Sequence, residues 1–200
     1  NKPCVAGVRK SLDRWMPNLG FYSLIFVASQ TGQEYIKAHT GKSSTVLPHA
    51  CGEQFFGLTN DYQVDYCFVG NSYQETRPLE TLLEPYGLRY KFRLYGHHWE
   101  HHTKWKPYWK GPVEYTGLPK IYSSSKITID DTSEKWGCVN SRVFDALAAG
   151  SLVITNDPVG NVDTLDCQLP IYKTQEDLVY LLQYYLTNED KRQSLISRLK

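Results

Sequence analysis

The chain alternates short apolar runs with amphipathic segments, and this alternation predicts an α/β protein. Apolar runs typical of buried strands are bounded by turn residues, and residues between several of them repeat apolar positions at helical spacing. The predicted strands are 21–29, 44–50, 64–72, 89–96, 126–131 and a last strand after Gly150. The predicted helices are 31–41, 75–87 with Pro78 in its first turn, and the segment that ends at Gly150. A parallel sheet is therefore the expected core.

One stretch, 126–157, has the order strand, loop, short helix, glycine stop and second strand. Its first strand ends at the paired carboxylates Asp130 and Asp131, and Asn140 or Ser141 is the candidate N-cap of the helix. A helix start presents unpaired N–H groups and the positive end of the helix dipole. These features attract phosphate, so the stretch predicts a nucleotide site.

Asp145 adds a second feature to this helix. It lies four residues after Ser141, on the same helix face and about 6 Å further along the axis. A carboxylate repels phosphate but accepts hydrogen bonds from the two hydroxyls of a ribose. The spacing therefore fits a nucleoside diphosphate, and the alternative is an ordinary solvated aspartate.

Glycines follow two of the predicted strands. Gly70 and Gly96 are expected at the carboxyl edge of the parallel sheet, where α/β proteins bind ligands. The backbone of 70–72, which includes Asn71, can approach a diphosphate, and Arg77 can neutralise it. The alternative is a plain strand-to-helix turn followed by a surface arginine.

Four histidines in the segment from His97 to His102 raise the question of a metal site. The pairs His97 with His101 and His98 with His102 have the i, i+4 spacing of zinc ligands on a helix. No third or fourth ligand is evident nearby, so no metal is expected. The aromatic and basic residues that continue to position 110 favour a loop facing sugar or phosphate, with a solvated histidine cluster as the alternative.

Composition and net charge limit the binding partners and the cellular compartment that can be expected. A net charge of +1 gives no general attraction to nucleic acid, and no apolar run approaches the roughly 20 residues of a membrane span. The 5 cysteines are widely spaced and odd in number, which argues against a disulfide framework and favours a reducing, cytoplasmic location. The chain starts with Asn1, so an upstream region, with any targeting signal, is expected to be missing.

The residues from Trp136 to Gly150, which read W-G-x-x-N-x-R-V-F-D-A-L-A-x-G, resemble the signature of the group 1 glycosyltransferases with the GT-B fold, most closely the spore-maturation-type branch. The resemblance extends from about residue 62 to 200. It implies that 62–200 form a Rossmann-like, C-terminal nucleotide-sugar-binding domain with helices on both faces of a parallel sheet. Residues 1–61 would then be the end of a truncated N-terminal, acceptor-side α/β domain and a linker.

The same resemblance implies a set of donor contacts. The ribose lies on Asp145 and the diphosphate near the helix start, although Arg142 has the alternative of a structural ion pair. Related families touch the sugar with a glutamate where this chain has Gly137. Sugar contacts here are therefore expected from Glu134, from backbone N–H groups of Gly137 to Val139, or from elsewhere. Backbone groups after a third strand read the base. The candidate residues are Gly70, Asn71, Arg77, Gly96, His97, Val113, Glu114, Tyr115, Gly137, Cys138, Val139, Asn140, Ser141, Arg142 and Asp145.

The implied reaction transfers a hexosyl or pentosyl group from a nucleoside diphosphate sugar to a hydroxyl of a glycan, protein or small molecule, without a metal or other cofactor. No catalytic residue is assigned, since the base is expected on the missing N-terminal domain, whether in the same polypeptide or a separate chain; His39 and His49 are weak candidates. One alternative is a non-catalytic nucleotide- or glycan-binding module with the tryptophans of 99–109 as its sugar surface. Another is a nucleotide-sugar epimerase of similar fold.

Overall fold

The computed structural model describes residues 16–72, 77–132, 139–158, 160–161 and 169–199. The predicted sugar contacts Glu134, Gly137 and Cys138 lie outside these ranges. Within them, no helix is both long and apolar enough to cross a membrane. The chain divides into two compact units, one of 1–49, 132–140 and 157–168, the other of 50–131, 141–156 and 169–200. The predicted domain boundary at residue 61 stays a prediction.

The first unit contains a two-stranded parallel sheet and one long helix. A 3-10 helix, Met16–Phe21, precedes β1 (Phe26–Val27), α1 (Gln30–Thr40) and β2 (Thr45–Val46). The helix is close to its predicted span, because Ser29 caps its start and Gly41 ends it in the left-handed conformation. The two strands are much shorter than predicted, since each has one partner and the start of 21–29 belongs to the 3-10 helix.

The second unit is built on a four-stranded parallel sheet. Its strands are β3 (Val64–Val69), β4 (Phe92–Tyr95), β5 (Ser125–Ile129) and β6 (Leu152–Ile154), in the spatial order β4-β3-β5-β6. Residues 108–111 extend the β4 edge, since the Leu94 N–H donates to the Tyr108 carbonyl over 3.0 Å and the Lys110 N–H donates to the Leu94 carbonyl over 2.9 Å. The predicted parallel sheet is confirmed.

The α-helices of this unit are α2 (Pro78–Leu82), α3 (Leu118–Ser123), α4 (Ser141–Ala148), α5 (Gln175–Thr187) and α6 (Glu189–Leu199). The predicted helix 75–87 is interrupted. Pro78 starts α2 as expected, but a second proline, Pro85, begins a separate 3-10 helix, Pro85–Gly87. The residue before a proline avoids the helical region, so the helix ends early. Further 3-10 helices are Glu53–Phe55 and Tyr115–Gly117.

Helices cover both faces of the sheet, as predicted. On one face, α2, α5 and α6 pack on large apolar side chains from all four strands. On the other face, α3 and α4 lie against β5 and β6, and the Ser125 hydroxyl donates to the Ile121 carbonyl over 2.8 Å. This two-sided covering explains why the strands read as nearly continuous apolar runs in the sequence.

Two of the tryptophans belong to the core of this unit. Trp99 is 0% exposed and Trp105 is 2% exposed, and their rings meet each other at a centroid distance of 5.8 Å. A sugar ring cannot stack on a covered indole. The interpretation of this segment as an aromatic, sugar-facing surface is therefore wrong for these two residues. Their burial was not predicted, because their neighbours in the sequence are mostly polar.

Candidate functional site

The carboxyl ends of β3 and β4 approach each other closely at two glycines. Gly96 has φ +132°, and a Cβ atom there would overlap the Gly70 carbonyl group. A Cβ atom at Gly70 would in turn meet the Phe68 ring at 2.8 Å. Backbone occupies the place of a Cβ atom at Gly96, so that position requires glycine, whereas at Gly70 the Phe68 and Arg142 side chains would have to move to admit a larger residue. The two predicted strand-end glycines are thus neighbours in space.

Each residue of the loop after β3, residues 70–72, makes a hydrogen bond to the segment that follows β4. The Trp99 indole N–H donates to the Gly70 carbonyl over 2.7 Å. The His97 N–H donates to Asn71 Oδ1 over 2.9 Å, and the Ser72 N–H donates to the His97 carbonyl over 2.9 Å. The loop is therefore held rigidly against the residues that follow β4. His97 is an exposed residue, and its backbone makes both of these bonds.

Two buried ion pairs lie at the end of β5. Arg142 Nη1 is 2.8 Å from Asp130 Oδ1, and Arg77 Nε is 3.2 Å from Asp131 Oδ2. Both guanidinium groups lie over the Phe68 ring, 4.9 Å and 5.1 Å from its centroid. Arg142 thus forms the structural ion pair that was the alternative to a ligand contact. Arg77 is not a surface arginine, since its Nη1 also donates to the Asn71 carbonyl over 2.9 Å.

Asp145 is a buried carboxylate on α4. It is 3% exposed, and its Oδ1 atom is buried with no hydrogen-bond partner among the described residues. Burial raises the pKa of Asp145 from 3.8 to about 6, and a hydrogen bond from the Tyr115 hydroxyl lowers it in part. The alternative of a solvated aspartate is therefore wrong. A buried oxygen without a donor is a costly arrangement that a bound group with a hydroxyl donor would relieve.

Residues from the segment before β3 complete the surroundings of Asp145. The Gly52 N–H bonds to the Tyr115 hydroxyl, and the Phe55 ring meets the Tyr115 ring edge-on at 5.5 Å. Burial raises the pKa of the Cys51 thiol, and the Asp145 charge raises it further. These contacts were not predicted, because residues 51–63 were interpreted as a linker and are far from Tyr115 and Asp145 in the sequence.

The other predicted residues are spread around these features. Glu114 is exposed and Val113 half-buried, and both precede the 3-10 helix that carries Tyr115. Ser141 is the exposed first residue of α4, with Val139 and Asn140 immediately before it. Gly137 and Cys138 lie outside the described residues. Arg142 brings α4 close to the end of β3, since its Nη2 would lie 3.1 Å from a Cβ atom at Gly70.

The histidine segment is a series of turns rather than a helix. In the described part of the chain, no group of three or more histidine, cysteine, aspartate or glutamate side chains is arranged to hold a metal ion. His101 is largely exposed and lies 3.7 Å from Glu100, whereas His102 contacts Ser72 and Glu80.

The family to which this chain belongs follows from a comparison with family profiles. The profile of a family described as glycosyl transferase-like matches residues 76–200. The chain belongs to this family. The matched region contains β4, β5, β6, α4 and Asp145, so most of the candidate site lies inside it. The narrower resemblance to the spore-maturation-type branch stays a prediction. No curated protein sequence matches the chain significantly.

Solved structures of low sequence identity share the fold. An S. aureus TarM mutant in complex with Fondaparinux, alpha-GlcNAc-glycerol and UDP has a TM-score of 0.71 and 12% identity to this chain. It is matched over 95% of this chain and 42% of its own. A second TarM structure has a TM-score of 0.69, 11% identity and the same coverage. The expected GT-B-type, Rossmann-like fold is confirmed, and this glycosyltransferase family member spans less than half the length of TarM.

Proposed function

We propose that this chain holds the nucleoside diphosphate of an activated sugar at the carboxyl edge of its four-stranded sheet, and that the sugar is transferred to a hydroxyl acceptor. Asp145 is the observation that carries the proposal. Its carboxylate is buried, raised in pKa to about 6, and has an unpaired Oδ1. At pH 7.5 it is mostly ionised and accepts hydrogen bonds, and a ribose offers two adjacent hydroxyl donors.

The diphosphate is expected at the start of α4 and beside the loop 70–72. Arg77 and Arg142 are already paired with Asp131 and Asp130, so they add little net positive charge there. Phosphate charge is instead met by backbone N–H groups and by the positive end of the α4 dipole, near Ser141. No metal or other cofactor is part of the proposed mechanism, since these dipoles would stabilise the leaving diphosphate.

Tyr115 supports the placement of the nucleoside. Its hydroxyl bonds to Asp145, and its ring is about half exposed at 51%. This contact supports the proposal that backbone groups of Val113, Glu114 and Tyr115 read the edge of the base. Sugar contacts from Glu134 or from backbone groups of 137–139, and the hexosyl or pentosyl nature of the sugar, are part of the same proposal.

The acceptor and the catalytic base are assigned to a separate acceptor-side domain, in the same polypeptide or another chain. The chain spans 42% of TarM, which supports this part of the proposal. We propose a cytoplasmic location, where nucleotide sugars are made and the widely spaced thiols stay reduced. The same partial coverage favours one second candidate, a non-catalytic module that binds the nucleotide within a larger assembly.

Release of nucleotide from sugar donors tests the proposal. We expect the chain, joined to its acceptor-side domain and incubated with UDP-, GDP- and ADP-sugars and hydroxyl acceptors, to release nucleoside diphosphate from one donor class. Asp145→Asn is expected to lower that rate at least ~10-fold, the effect of losing a charged hydrogen bond. Asp190→Asn is the matched control, because Asp190 is an exposed acid of α6, and it should leave the rate unchanged. Binding of a donor without release would favour the non-catalytic module.

A further inference from the structure

Three side chains next to the loop 70–72 form a connected row that the proposed function does not use. Ser72 Oγ lies 2.9 Å from His102 Nε2, and His102 Nδ1 lies 3.4 Å from Glu80 Oε2. Ser72 is 1% exposed, while the side chains of Glu80 and His102 are 12% and 31% exposed. The row therefore runs from α2, which carries Glu80, to the chain immediately after β3.

The chemistry of the three groups sets the direction of the row. A carboxylate only accepts, so Glu80 favours the tautomer of His102 with its proton on Nδ1. In the neutral ring, Nε2 is then the acceptor, and the Ser72 hydroxyl donates to it. Glu80 is itself fixed, because its Oε1 accepts from the Arg77 N–H over 3.2 Å at the start of α2. The imidazole also packs on the Trp99 ring at a centroid distance of 5.3 Å.

We propose that His102, oriented by Glu80, is a positioning residue that fixes the loop 70–72 through the Ser72 hydroxyl. The inference rests on the proposed function for its consequence, which is that the loop is ordered in advance for the phosphates of the donor. Other hydrogen bonds of the loop come from the Trp99 indole, from the Arg77 guanidinium, which donates to the Asn71 carbonyl, and from backbone groups of His97. A substitution of His102, whose side chain is partly exposed, thus removes one hydrogen bond to the loop without opening the apolar core.

A tautomer measurement separates this role from simple packing. Long-range proton–nitrogen NMR spectra of the intact chain should show the His102 ring with its proton on Nδ1 at pH 7.5. Glu80→Gln should shift His102 toward the other tautomer, whereas a packing role requires neither result. A wild-type ring that carries its proton on Nε2 would overturn the proposal.

Amide hydrogen exchange then tests the loop itself. His102→Ala is expected to speed exchange of the Asn71 and Ser72 amides about 10-fold, as expected for loss of one buried hydrogen bond. His102→Gln should restore slow exchange, because its side-chain oxygen can take the place of Nε2. The matched control His101→Ala removes a neighbouring, largely exposed ring and should have no effect. Equal exchange in wild type and His102→Ala would contradict the proposal.

UDP titration distinguishes failure of this inference from failure of the proposed function. If the wild type binds UDP, His102→Ala should bind it about 3- to 10-fold more weakly, and His102→Gln should recover most of the loss. Equal affinity in all three proteins would overturn the positioning role and leave the donor site intact. If the wild type does not bind UDP, the titration is made with GDP, ADP, CDP and dTDP. If none of the five binds, the proposed function fails, and the tautomer and exchange results alone decide the role of His102.

Discussion

Arg142→Ala is expected to lower the free energy of unfolding by about 3–5 kcal/mol, the range for removing one partner of a buried ion pair. Asp130, its partner at 2.8 Å, is 1% exposed, so the substitution would leave a buried carboxylate without its cation. The hydroxyl of Thr155 would still donate to Asp130 over 2.8 Å, which offsets only part of the loss. The Phe68 ring would also lose a guanidinium contact.

Chemical denaturation with urea measures this change, with Arg89→Ala as the control. Arg89 is exposed, so its truncation should change the free energy of unfolding by no more than about 0.5 kcal/mol. The double variant Arg142→Leu with Asp130→Leu should recover much of the stability, because apolar replacement of both partners of a buried pair is often neutral. A cost for Arg142→Ala no larger than that for Arg89→Ala would show that the ion pair does not hold β5 and α4 together.

Asp145→Asn is expected to stabilise the protein at pH 7.5 by about 1–3 kcal/mol, since a shift of about two pKa units corresponds to at most roughly 3 kcal/mol. The folded-state pKa of Asp145 is raised from 3.8 to about 6. The carboxyl group therefore favours the folded state fully below pH 3.8, and this contribution is lost as the pH rises through about 6. Asparagine does not ionise, so the variant does not lose this stability as the pH rises to neutral.

Thermal or urea unfolding at pH 4 and pH 7.5 tests the sign of this effect. The gain of Asp145→Asn over wild type should be small at pH 4, about 0.5 kcal/mol, and clearly larger at pH 7.5. The control Asp190→Asn should show no such gain, since Asp190 is exposed. A gain that is absent at pH 7.5, or equal at both pH values, would mean that Asp145 is not an unfavourably buried carboxylate. Stability lost at a buried polar group is typical of a functional site.

The parts of this fold that were predicted correctly depend on local patterns. The strand, helix and glycine stop around α4 follow from apolar periodicity and from Gly150, whose φ is +86°. Gly70 and Gly96 were placed at strand ends by their position after apolar runs. Both kinds of signal act within a few residues, which is why a single sequence contains them.

The parts that were missed depend on contacts between distant segments. The pairing of Arg142 with Asp130 joins residues that are twelve positions apart in the sequence. The Gly52 N–H reaches Tyr115 from more than sixty positions earlier. Nothing in either segment specifies the other. The burial of Trp99 and Trp105 was also missed. Their basic and histidine neighbours in the sequence suggested an exposed loop, whereas the indoles pack into the core against residues from other segments.

The donor site itself is tested most directly by calorimetric titration with UDP, GDP, ADP, CDP and dTDP on wild type, Asp145→Asn and Asp190→Asn. We predict that one diphosphate binds the wild type and Asp190→Asn equally, and that Asp145→Asn weakens its binding by about 1–3 kcal/mol, the range for charged hydrogen bonds. Because Asp145→Asn is expected to be the more stable protein, weaker binding would not reflect unfolding. Binding that is unaffected by Asp145→Asn, or no binding of any of the five, would contradict a nucleoside diphosphate site at this carboxylate.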